Sequence, residues 1–119
     1  MSGRLRIDLD ALAANFRACG AAVAPGTCGA VVKADAYGLG ALVVGRRLWR
    51  EGCLEFFVAT CAEGQALRAA LPEARIYVFE GAETDSLAAL LEADLIPVLK
   101  GSTKTASSSE TWTGTFCIE

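Results

Sequence analysis

Histidine is absent from the 119-residue chain, and lysine nearly so: the first 99 residues hold eight arginines but a single lysine, Lys33. With no imidazole, a zinc site would need four scattered thiolates. The five cysteines (Cys19, Cys28, Cys53, Cys61 and Cys117) are odd in number and form no C-x-x-C pair. They therefore read as free thiols of a reducing compartment, and neither a disulfide frame nor any other metal site is expected. A basic excess is lacking as well. Eleven Lys and Arg against fourteen Asp and Glu give a net charge of −3, which leaves nothing to neutralise phosphates and argues against a nucleic-acid partner. No apolar run is long enough to span a bilayer: the longest uncharged stretch, Ala18 to Val32, is interrupted by Gly20, Pro25, Gly26 and Gly29. The first ten residues alternate charged and apolar side chains and contain no signal-peptide block, so a cytoplasmic location is expected.

What is present is apolar. AVILMFWYC residues make up 53% of the chain, with twelve glycines in addition, enough to form a core and to exclude disorder for most of its length. Two regions differ. Residues 1–100 contain five Ser or Thr, whereas residues 101–119 contain nine and show no period. The second region reads as a Ser/Thr-rich tail, disordered or foreign to the rest.

Strands and helices alternate in the first region. Leu5, Ile7 and Leu9 alternate with charged residues and predict a short half-buried strand. A helix follows from about Asp10, with Leu12, Phe16, Cys19 and Val23 on one face and Gly20 as an early stop. Four apolar runs then predict strands: Gly29–Ala34, Leu54–Ala59, Arg75–Phe79 and Leu95–Leu99, the last marked as edge or irregular by Pro97. Between them lie helices from Ala41 to Gly52, from the Thr60…Glu63 capping box to Leu71, and from about Asp85 to Ala93. This order implies parallel βα units, closed either as an open doubly wound sheet or as about half of a (β/α)8 TIM-type barrel. Length alone favours the open sheet.

Lys33 sits in an apolar strand between Val32 and Ala34. Burying an ammonium is costly unless it is paired or deprotonated, and a desolvated neutral amine is the form that carbonyl chemistry requires. The bland reading is a lysine that snorkels out of the strand end to pair with Asp35 or a helix terminus. The loop after it, Asp35-Ala-Tyr37-Gly38-Leu-Gly40, would let backbone approach a ligand, and the helix from Ala41 would offer amides to an anion. It fits neither the dinucleotide fingerprint, because position 43 is Val, nor a Walker A loop. Elsewhere the bland readings prevail. Arg46, Arg47 and Arg50 read as a solvated face, Glu63 as a cap, Asp8 and Asp10 as helix-entry residues, Tyr77 as core or barrel lining, and Trp49 as helix packing.

The run Ala30-Val-Val-Lys33-Ala-Asp-Ala-Tyr37-Gly-Leu-Gly40-Ala resembles the pyridoxal-phosphate attachment motif of alanine racemases. Ile7–Phe16, Phe57–Gly64 and Leu95–Leu99 extend the resemblance over roughly residues 4–99 and leave the tail outside it. The resemblance reverses the preference set by length: it implies a partial (β/α)8 barrel, residues 1–100 supplying about its first half. It further implies a homodimer that uses pyridoxal 5'-phosphate to interconvert L- and D-alanine for cell-wall supply. Lys33 would then be the lysine bonded to the cofactor and one of two bases, and Tyr37 a contact to the cofactor phosphate. Asp35 and Leu39 depart from the family's commoner Asn and His. The family's second base, a tyrosine from the partner's C-terminal domain, has no counterpart here. Two other readings stay open: another pyridoxal-phosphate barrel protein, and a non-catalytic α/β fragment that binds the cofactor weakly or not at all.

Overall fold

The computed structural model describes residues 3–80, 86–99 and 117–118. Its first element is helix α1, Leu9–Val23, opened by Asp8, whose carboxylate accepts from the Ala11 amide at 3.0 Å, and carrying Asp10 in its first turn. Both acids thus sit where a helix N-terminus favours negative charge. The strand expected over Leu5–Leu9 does not form. Leu5 is 70% exposed and no described strand pairs with the segment, so the alternation gives an apolar edge without a partner, and Asp8 turns the chain into helix. α1 also runs through Gly20. Ala13 is fully buried and Leu12 and Phe16 pack on the core, but Cys19 and Val23 are exposed.

Strand β1 (Ala30–Val31) is followed by a single turn, α2 (Lys33–Tyr37), and by helix α3 (Ala41–Arg50). Strand β2 (Glu55–Val58), helix α4 (Cys61–Ala70), strand β3 (Arg75–Val78), helix α5 (Leu87–Glu92) and strand β4 (Ile96–Leu99) complete the alternation. The four central strands fall inside the four apolar runs. β1 is shorter than its run because the backbone leaves the ladder at Lys33. Strand β5 (Cys117–Ile118) pairs with β4, so two residues of the Ser/Thr-rich tail join the sheet; the remainder of the tail lies outside the described residues.

All pairings are parallel, and the order β1-β2-β3-β4-β5 follows the chain. A doubly wound sheet reverses direction at a switch point; successive right-handed crossovers that never reverse lay every helix on one face, as in an arc of a barrel. Burial follows that geometry. Phe56, Val58, Ile76 and Val78 are buried with Leu48, Leu67 and Leu90 of the helices. Alternate residues Glu55, Phe57, Tyr77 and Phe79 lie on the opposite, less covered face, the lining face of a barrel. Gly64 lets α4 approach the sheet, since a Cβ there would stand 2.9 Å from a Leu95 methyl carbon. Pro97, opposite Val78 of β3, is fully buried, not at an outer edge; β5 pairs only from Val98 onward, so the missing amide leaves no gap in the ladder on that side.

Three arginines do more than cover surface. Arg47 pairs with Asp10 at 2.8 Å and with Glu51 at 3.5 Å, while Arg17 also pairs with Glu51, so the expected solvated face holds for Arg46 and Arg50 but Arg47 ties α1 to α3. Arg68 of α4 donates to five carbonyls at the N-terminal end of the sheet: Leu71, Pro72, Ala74, Ala93 and Asp94.

Candidate active site at the mouth of the first strand

Lys33 leaves β1 at its C-terminal end. Val32 before it is buried on the helix side, with its amide bonded to the Phe57 carbonyl at 2.8 Å. The alternation therefore turns Lys33 to the lining face, where it is half-buried with Nζ 5.7 Å from the centre of the Phe79 ring. Phe79 stacks on Phe57 at 5.7 Å, and Phe57 on its cross-strand neighbour Tyr77 at 4.6 Å. Deeper along this face, the Tyr77 and Thr27 hydroxyls donate to the two Glu55 oxygens at 2.9 and 3.0 Å. The expectation of barrel lining thus holds for Tyr77. Lys33 makes no ion pair among the described residues, so the reading in which it snorkels to Asp35 is not met.

Asp35 is engaged elsewhere. Its Oδ1 accepts from the Ala41 amide at 2.8 Å, placing a carboxylate at the positive end of α3. The amide expected to meet an external anion is thereby occupied from within the chain. Between Lys33 and α3 the backbone is left-handed: Ala34, Asp35, Ala36 and Tyr37 have φ of 52°, 54°, 56° and 56°. For residues with a Cβ this conformation costs about 1–2 kcal/mol each, and such strain persists only where neighbouring structure enforces it. Gly38 (φ 90°) and Gly40 (φ 95°) lead the chain out of the turn. Tyr37, at the end of the turn, is 66% exposed.

The N-terminus of α4 lies beside this turn. Thr60 and Glu63 form the capping box expected from sequence, and the Glu80 carboxylate accepts from the Cys61 amide at 2.9 Å. Sequence reasoning missed the further reach of Glu63. While Oε1 accepts from the Ala59 and Thr60 amides, each at 2.9 Å, Oε2 accepts from the Ala34 amide at 2.7 Å. Burial pushes the Glu63 carboxyl up, but the Thr60, Ala34 and Ala59 amides outweigh it and hold the group below its ordinary value. Burial pushes the Cys53 thiol up to about 11 and also raises Cys28 and Cys61, which makes these three poor nucleophiles.

The structure brings Lys33 Nζ and the stacked Phe57 and Phe79 rings together on the lining face, whereas it leaves Tyr37 exposed at the end of the turn. No cluster of metal-type ligands occurs among the described residues. Helices on one face of a sequentially ordered parallel sheet, with polar groups gathered at the strands' C-terminal ends, define the chain as part of a (β/α) barrel of the enzyme-bearing type. Residues 7–115 match the family described as alanine racemase, N-terminal domain, and the chain belongs to that family. The match extends past Leu99 through most of the Ser/Thr-rich tail, which the motifs alone leave outside the resemblance.

The alanine racemase of Methylobacterium sp. (strain 4-46) is 51% identical over 96 residues, which are 81% of this chain and 26% of that protein. The catabolic alanine racemase of Rhizobium johnstonii is 48% identical over 99 residues, 82% of this chain and 26% of that protein. Among solved structures, alanine racemase from Bartonella henselae with covalently bound pyridoxal phosphate superposes with a TM-score of 0.82 at 39% identity, over 88% of this chain and 29% of that one. The enzyme from E. faecalis gives 0.75 at 27% identity, over 87% and 28%. The chain spans about a quarter of the length of the curated relatives it matches.

Proposed function

We propose that this chain carries the cofactor lysine of a pyridoxal-phosphate-dependent alanine racemase, and that residues 1–100 supply the first part of its barrel domain. The observation that supports this best is the placement of Lys33, the lone lysine of the region, on the lining face at the mouth of β1 in a chain of this family. In this reading Lys33 Nζ would hold the cofactor covalently, on the face that also carries the stacked Phe57 and Phe79 rings. Tyr37 contributes a hydroxyl towards the cofactor phosphate. Pyridoxal phosphate, when bound, withdraws electrons from the substrate Cα and so acidifies its proton. As a free amine, Lys33 Nζ would take or return that proton on one face. The described residues supply a base to that face only. The opposite base, the remaining barrel strands and the second subunit of a homodimer belong to the rest of the machinery. The cell site is the cytoplasm and the product D-alanine for the cell wall.

Incubation with pyridoxal phosphate followed by borohydride should add the cofactor mass to the Lys33 peptide, and Lys33→Ala should abolish the label. Labelling without exchange of the alanine α-proton identifies a loaded but inactive chain. Absence of any label at Lys33 overturns the assignment and leaves the reading of a non-catalytic α/β fragment.

A further inference from the structure

We infer that Glu63 is a positioning residue for Lys33, holding the strained turn after the reactive amine in place by accepting the Ala34 amide. The inference rests on the assignment of Lys33 made above. Four consecutive non-glycine residues in the left-handed region need an external restraint. Most bonds of the turn are local: Ala36 N–H to Val32, Gly38 N–H to Ala34 and Asp35, Leu39 N–H to Ala36, Gly40 N–H to Asp35, and Ala41 N–H to the Asp35 carboxylate. Local bonds set the shape of the turn but not where it sits on the sheet. The Ala34–Glu63 bond spans 29 residues and anchors the turn to α4, which is itself seated on β2 and β3. Ala34 follows Lys33 directly, so this bond fixes the direction in which the lysine leaves the strand.

The donor set requires a carboxylate. Three backbone amides hydrogen-bond to Glu63 and the Asp35 amide adds its pull; all are donors, so both oxygens must accept. A glutamine can still complete a capping box with its single oxygen, but its NH2 group would then face the Ala34 N–H, donor against donor. Glu63→Gln therefore keeps the cap of α4 and removes the anchor of the turn, whereas Thr60→Ala weakens the cap and leaves the anchor.

In the full chain, Glu63→Gln should slow borohydride-trapped pyridoxal-phosphate labelling of Lys33 by about tenfold, the scale of one lost charge-assisted hydrogen bond. It should also reduce the induced circular dichroism of the bound chromophore, which reports its orientation. Amide exchange of Ala34 in the cofactor-free protein should rise by a similar factor. Thr60→Ala should lower thermal stability but leave labelling rate and induced dichroism within about twofold of the parent. If Glu63→Gln behaves like Thr60→Ala in labelling and dichroism, or leaves Ala34 exchange unchanged, the positioning role is overturned. Failure of the parent chain to label at all refutes the cofactor assignment instead, and the Ala34 exchange still decides whether Glu63 anchors the turn.

Discussion

Arg68 places one guanidinium among five backbone carbonyls drawn from the α4–β3 connection and the α5–β4 connection. The Ala74 and Ala93 carbonyls are part-buried, so truncation removes the side-chain partner of each, while Leu71 keeps the Ala74 amide and Pro72 and Asp94 face water. Arg68→Ala should lower unfolding free energy by about 2–4 kcal/mol, read as a shift of the urea midpoint, and Arg68→Lys should recover less than half because an ammonium cannot fork across both connections. A midpoint unchanged by Arg68→Ala would show that water replaces these bonds without cost. At this scale the sequence was unevenly legible. Lys33 stood out because it is the single lysine within an apolar run, a signal that needs no structure. Arg68 looked like any arginine on an exposed helix turn, since carbonyl acceptors leave no mark in side-chain identity. Glu63 was legible as a cap because its partner Thr60 lies three residues away; its bond to Ala34 was not, because it depends on a left-handed turn 29 residues earlier.

Among the elements, the left-handed turn and α3 behave as one unit joined by Asp35. Asn would serve here as Asp does, because either offers a side-chain oxygen to the Ala41 amide. Asp35→Asn should therefore change stability by less than about 0.5 kcal/mol, whereas Asp35→Ala should cost about 1 kcal/mol, the usual loss of a helix cap. Chemical denaturation of the two variants checks this, and equal losses would remove Asp35 from the capping role. The central strands were legible because β2, β3 and β4 are continuous apolar runs bounded by turn residues. The turn itself was not, for nothing in Ala34-Asp35-Ala36-Tyr37 specifies a positive φ. Leu5–Leu9 shows the opposite failure: its alternation is that of a strand, but a strand needs a neighbour, and no described segment supplies one.

At the scale of the molecule, helices cover one face only of the sheet among the described residues. The lining face carries Phe57, Tyr77, Phe79 and Val31, the last 45% exposed. A closed barrel would cover that face and pair the outer edge of β1; the described residues do neither. On its own, the 119-residue chain should therefore self-associate with rising concentration and bind a hydrophobic dye. Light scattering behind a sizing column tests this, and a dye-silent monomer at high concentration would contradict it. The barrel arc was legible from the strand–helix rhythm combined with the Lys33 motif, whereas rhythm and length alone favoured an open sheet.

The unbroken strand order has a consequence for assembly. Each βα unit docks on the one synthesised just before it, so no strand waits for a distant partner in order to join the sheet. Such a chain can add its layers in the direction of translation, with the segment that bears Lys33 seated first and serving as the template on which later units are laid.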